Sequence, residues 1–98
     1  MHPEYHFRLF IAGQTHTARR AMDHLHDYVR LLEARGIPVS MEVVDILEDL
    51  QVAETERILV TPVLIRKRPE PELRVVGDLS VKARVFCAME LPGEAPGD

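Results

Sequence analysis

The sequence predicts a single α/β domain, a mixed four-stranded sheet with helices on both faces in the order βαβ-α-ββ-α. Three observations carry this expectation. Residues 5–11 alternate with a period of two, residues 18–32 repeat apolar side chains at helical spacing, and two short β-rich runs flank the turn Pro69-Glu70-Pro71-Glu72.

Tyr5, Phe7, Leu9 and Ile11 form one face of the first strand. Phe10 and Ala12 make the second half apolar on the other face too, as in a central strand. Gly13-Gln14-Thr15 breaks the pattern, and Thr15 or Thr17 can cap a helix whose stripe is Ala18, Met22, Leu25, Val29 and Leu32. Gly36 suits its C-terminal end and Pro38 prevents continuation. Val39, Met41 and Val43 read as a second strand, parallel to the first because a helical crossover separates them.

A short helix is expected around Gln51 to Arg57. Val63-Leu64-Ile65 and Leu73 to Val76 then read as a hairpin joined by the proline-rich turn. Ser80 is the expected cap of a last helix that buries Val81, Val85, Cys87, Ala88 and Met89, with Lys82 and Arg84 outside. The domain is expected over residues 1–91 and a disordered tail over 92–98. This order of elements is the thioredoxin-like arrangement.

At 98 residues the chain has room for one core. A formal charge of −4 supplies no electrostatic drive toward phosphate backbones, so nucleic acid is not an expected partner. No basic segment followed by an apolar stretch opens the sequence and no run approaches membrane-spanning length, so neither secretion nor a membrane partner is expected. Cys87 is the one cysteine and sits in the apolar run Val85-Phe86-Cys87-Ala88-Met89, which reads as a buried, inert thiol in a cytoplasmic protein.

In a thioredoxin-like enzyme the redox pair occupies the turn between the first strand and first helix, where the helix N-terminus lowers thiol pKa values. Here that turn is Gly13-Gln14-Thr15-His16. Disulfide exchange needs a thiolate, so this site cannot perform it. His2, His6, His16, His24 and His26 read as solvated rather than as metal ligands, because zinc wants three or four convergent donors. Asp45, Glu48, Asp49, Glu54 and Glu56 read as a solvated face with no nucleophile beside it. No catalytic residue, cofactor or metal is therefore expected. Arg19, Arg20 and Arg57 read either as surface arginines with acidic neighbours or as anchors of a protein interface, where arginine is enriched. Thr61-Pro62 stands where this fold commonly holds a cis-proline, with both isomers left open by position alone.

Several segments together resemble the KaiB family: Phe7 to Thr15, Val43 to Leu47, Ala53-Glu54, Ile58 to Leu64 and Val76 to Ser80, over roughly Tyr5 to Leu91. The resemblance implies a non-enzymatic clock protein that binds the ATPase ring of a KaiC-like partner, with Arg20 and Arg57 at positions where the family carries a basic residue used in that contact. Arg19 stands where the family is commonly apolar. A related module serves as the sensor domain of some histidine kinases, which makes an unrelated signalling partner the alternative. The resemblance also implies two accessible folds, one a tetramer-forming ground state and the other thioredoxin-like, and hence a homo-oligomer, dimer or tetramer, as a possible assembly. Many members carry Gly-Leu-Asp where this chain has Ala88-Met89-Glu90. Ala in place of Gly favours a helix interior by ~1 kcal/mol, so Ala88 is expected to bias the chain toward the thioredoxin-like form. Ser40 and Glu42 depart from the small residue and lysine common at the second strand.

Overall fold

The computed structural model describes residues 3–92; His2 and, from residue 93 on, the expected tail lie outside the described residues. The elements are β1 (Tyr5–Ile11), α1 (His16–Ala34), β2 (Val39–Asp45), α2 (Leu50–Thr55), β3 (Val63–Arg68), β4 (Leu73–Val76) and α3 (Lys82–Ala88). The sheet order is β2-β1-β3-β4, with β2 parallel to β1 and the other pairings antiparallel. Of the two folds implied by the resemblance, this is the thioredoxin-like one.

Strand alternation divides the interior into two cores. Tyr5, Phe7, Leu9 and Ile11 face a large core shared with Ala18, Ala21, Leu25, Tyr28, Val29 and Leu32 of α1 and with Val85, Phe86 and Met89 around α3. Phe10 points the other way and packs with Val63 and Ile65 against Val44, Ile46, Val52 and Ile58. Thus α1 and α3 cover one face of the sheet and α2 the other. Burying each large side chain of this kind stabilises the fold by about 1.5–3 kcal/mol.

Thr15 caps α1 by accepting the Ala18 amide at 3.0 Å. The three helices among the described residues end alike. The residue after the C-cap takes a left-handed conformation at Gly36 (φ 79), Arg57 (φ 58) and Glu90 (φ 53). The following amides reach back to Leu32, Ala53 and Phe86 carbonyls at 3.1, 2.8 and 2.9 Å, closing Schellman motifs. Only the first of these positions carries glycine, the residue with least strain there.

The last helix differs from expectation. Val81, not Ser80, is its N-cap residue and no side chain caps it. Val85, Phe86 and Met89 are its buried stripe, whereas Val81 is 57% exposed and Cys87 and Ala88 are also exposed. At about 100° per residue, Cys87 lies roughly 150° from the centre of that stripe, so the thiol faces solvent. Ala88 is the final helical residue rather than an interior one, which weakens the propensity argument attached to it. The second helix ends at Thr55, short of Arg57, because Arg57 has left the helical region.

β3 continues past Ile65 through Arg66-Lys67-Arg68, a charged run that gives no strand signal. Arg66 is buried. It donates to the Met89 carbonyl at 2.7 Å and the Pro71 carbonyl at 3.0 Å, with its guanidinium 6.0 Å from the Tyr5 ring centroid. Met89 caps α3, so its carbonyl belongs to the negative end of the helix dipole and partly compensates the buried cation. Thr61-Pro62 is cis, as are Arg68-Pro69 and Glu70-Pro71.

Because Glu90 occupies a left-handed position that glycine adopts without strain, Glu90→Gly is expected to raise stability by about 0.5–1 kcal/mol. Ala88→Gly, at the helix end, is expected to cost less than the ~1 kcal/mol of an interior site. Urea denaturation of both variants measures the two effects.

Candidate functional site

The C-terminal ends of β1, β2 and β4 and the start of β3 lie at one end of the sheet, since Ile11 pairs with Asp45, Phe10 with Val63 and Val63 with Val76. The connections 12–15, 46–49, 56–62 and 77–81 meet the sheet there. Asp45 organises the first two: its Oδ1 accepts the Gly13 and Leu47 amides, each at 3.0 Å. Gly13 has φ 78, and a Cβ on it would sit 3.4 Å from Leu47 Cδ1. Asp49 caps α2 through the Val52 amide at 3.1 Å. Two of the acids of the expected solvated face therefore shape backbone.

The 77–81 connection is gripped by three residues one helical turn apart on α1, a spacing that places them on one stripe. Arg20 pairs with Asp78 at 2.7 Å, His24 Nδ1 donates to the Asp78 carbonyl at 2.8 Å, and the Tyr28 hydroxyl donates to the Leu79 carbonyl. Leu79 itself has φ 64, a strained geometry for a branched side chain. His24 is thus a bonded residue rather than a solvated one, and His6 likewise hydrogen-bonds Ser40 Oγ at 2.7 Å. Burial foremost, then Asp27 and Asp78, push the Tyr28 phenol up. The Ser80 hydroxyl and amide, with lesser help from Arg20 and His24, hold the Asp78 carboxyl below its ordinary value.

Six exposed large apolar residues collect at this end of the sheet: Leu47, Leu50, Leu59, Val60, Val76 and Val81. Leu59 is 95% exposed. Beside them a cleft of ≈ 90 Å³ is lined by Gly77, Asp78, Leu79, Ser80, Val81 and Arg84 among others, too small for a typical small-molecule site. A larger open groove, ≈ 590 Å³, runs along α1, where Asp23, Asp27 and Glu33 face His26 and Arg30 and leave no field of one sign. Among the described residues no His/Cys/Asp/Glu group has a metal-holding arrangement. No described helix is long and apolar enough to cross a membrane.

Of the residues singled out in the sequence, Arg20 projects from α1, 64% exposed beyond its ion pair. Arg57 is exposed on the opposite face of the sheet, at the end of α2. Pro62 lies at this same end, its carbonyl accepting the Gly77 amide at 2.9 Å. Ala88 lies away from it on α3. The Arg20-His24-Tyr28 stripe escaped the sequence reading, because its partners, the Asp78 carboxylate and two backbone carbonyls, lie more than fifty residues away. The spacing of four was the available signal.

The fold defines a thioredoxin-like domain in which Gly13-Gln14-Thr15-His16 occupies the turn between the first strand and first helix. Solved structures agree on the fold. Mitochondrial thioredoxin 3 from Saccharomyces cerevisiae matches with a TM-score of 0.69 at 11% identity, over 88% of this chain and 76% of that one. The N-terminal domain of Synechococcus elongatus SasA matches with a TM-score of 0.65 at 16% identity, over 97% and 91%. The sequence narrows the class further. The KaiB domain matches residues 8–90, so the chain belongs to the KaiB family. The circadian clock oscillator protein KaiB of Prochlorococcus marinus (strain MIT 9211) is 38% identical over 89% of this chain and 75% of its own length. That of Thermosynechococcus vestitus is 35% identical over 96% and 85%.

Two measurements test this geometry. Tyr28→Phe leaves the buried Leu79 carbonyl without its donor and is expected to cost about 1–2 kcal/mol in urea denaturation. Asp78 has a folded pKa below its unfolded value of about 3.9, so its contribution is complete above that value and is lost as pH falls through the folded one. Glu72, held low first by its hydrogen bond from Lys67, behaves the same way from about 4.3. The urea midpoint is expected to fall between pH 5 and 2, less steeply in Asp78→Asn.

Proposed function

We propose that the protein is a non-enzymatic regulator that binds the ATPase ring of a KaiC-like partner in the cytoplasm, as part of a circadian or stress-timing system. The observation that carries this reading is the gathering of exposed apolar side chains at the loop end of the sheet, on a fold whose usual redox turn holds Gly13-Gln14-Thr15-His16 instead of thiols. A fully exposed Leu59 and half-exposed Val60 gain nothing in the isolated chain, and burying them against a partner supplies free energy for association. Arg20 and Arg57 flank this end from the two faces of the sheet and supply charged anchors. Family membership supports the choice of partner.

Arg57 permits a clean test. Its φ of 58 favours glycine, so Arg57→Gly deletes the side chain without adding backbone strain. Loss of a hot-spot arginine is expected to cost ~2 kcal/mol, about thirtyfold in affinity. Titration calorimetry with a purified KaiC-type ATPase of the same organism should show that loss for Arg57→Gly and Arg20→Ala, with circular dichroism unchanged. Asp78→Asn, which frees Arg20 from its ion pair while keeping it, should retain binding. No binding by the wild type, or unchanged affinity in both arginine variants, overturns the reading. A pull-down from native cytosol that captures a histidine kinase instead would favour the sensor-type alternative. Dithiothreitol-coupled insulin reduction is expected to stay at background.

A further inference from the structure

The exposed arginine at the end of α2 stands on a helix that cannot hold its own position. α2 has six residues, none of them buried, and its attachment to the sheet through Val52 and Ile58 is only partly buried. An isolated helix of this length has no intrinsic stability. What fixes its end is a set of cations from three strands converging on Glu56. The Glu56 carboxylate accepts from Arg8 of β1 at 3.1 Å and from Lys67 of β3 at 3.2 Å. Its main-chain carbonyl accepts from Arg74 of β4 at 2.6 Å, and the same guanidinium reaches the Arg57 carbonyl at 3.3 Å.

Those two carbonyls belong to the peptides on either side of the Arg57 Cα, so holding both restrains its φ and ψ. Side-chain direction follows from them. Arg8 and Lys67 are also neutralised by Glu42 and Glu72, so the cations remain in place without demanding Glu56. The Glu56 side chain has 17% exposure, unlike the exposed Glu54 two residues earlier.

We infer that Glu56 is a positioning residue for the partner surface, anchoring the end of α2 so that Arg57 is held in its left-handed turn and presented outward. This rests on the reading of Arg57 as a partner contact. Glu56 itself touches the sheet and not the partner.

The test is a double-mutant cycle with the purified KaiC-type ATPase, using the intact protein. Glu56→Gln keeps the shape and removes the charge, and is expected to weaken binding about tenfold while speeding hydrogen exchange at the Arg57 and Ile58 amides. In the Arg57→Gly background the same substitution should change affinity no further. Arg8→Gln, which removes one anchor without altering α2, should give the same pattern at smaller size if Glu56→Gln unfolds the protein. Additive losses in the cycle, or unchanged exchange at Arg57 and Ile58, overturn the inference while leaving Arg57 as a contact. Wild-type affinity in Arg57→Gly overturns the contact reading and with it the role of Glu56, and an exchange effect would then report only a structural anchor.

Discussion

Everything in this fold is arranged around β1, a strand with a neighbour on each side and an apolar core on each face. Phe7, Leu9 and Ile11 require α1 and α3 on one side, and Phe10 requires a cover on the other. A strand so buried has no tolerance for a slip in register, since a shift of one residue would exchange Arg8 for an aromatic neighbour. The parallel partner β2 and antiparallel partner β3 therefore fall into place along it, and the four connections at its C-terminal end are brought together as a consequence.

The two covers are held by different physics. α1 is a long amphipathic helix whose stripe is buried chiefly by hydrophobic packing, with Tyr28 adding one buried hydrogen bond. α2 covers its face thinly and depends on ionic contacts from the strands beneath it. Such contacts are directional and screened by salt, so they hold a position better than they stabilise a fold. An element fastened this way suits a surface meant to meet a partner in one orientation. α3 is fastened by a third device, a buried guanidinium that takes the last carbonyl of the helix as its acceptor.

The helix ends show local strain accepted for the sake of tertiary position. Gly36 meets its left-handed turn without cost, whereas Arg57 and Glu90 adopt the same geometry with a side chain attached. At Arg57 the cost accompanies an exposed cation, and at Glu90 it accompanies the return of Leu91 toward the large core. Strain of order 1 kcal/mol persists where the surrounding contacts over-determine it.

By itself the sequence determined the order of elements, the central place of β1, the α1 stripe from Ala18 to Leu32, the turn at Gly36 and the absence of thiols from the redox turn. Each of these is written in local periodicity, in residue chemistry, or in a residue with one preferred conformation. Tertiary structure alone decided the rest. Burial of Arg66, the grip of Arg20, His24 and Tyr28 on Asp78 and Leu79, and the convergence of Arg8, Lys67 and Arg74 on Glu56 join residues far apart in the chain, and exposure of Cys87 follows from the packing of its helix. In a seven-residue helix the apolar run Val85 to Met89 fits more than one rotational setting, and packing against α1 selects the one that hides Phe86 and turns Cys87 out. A charged side chain carries no periodic signal of its partner, so which of twelve basic residues is buried, paired or free to meet another protein is settled only when the strands are laid side by side.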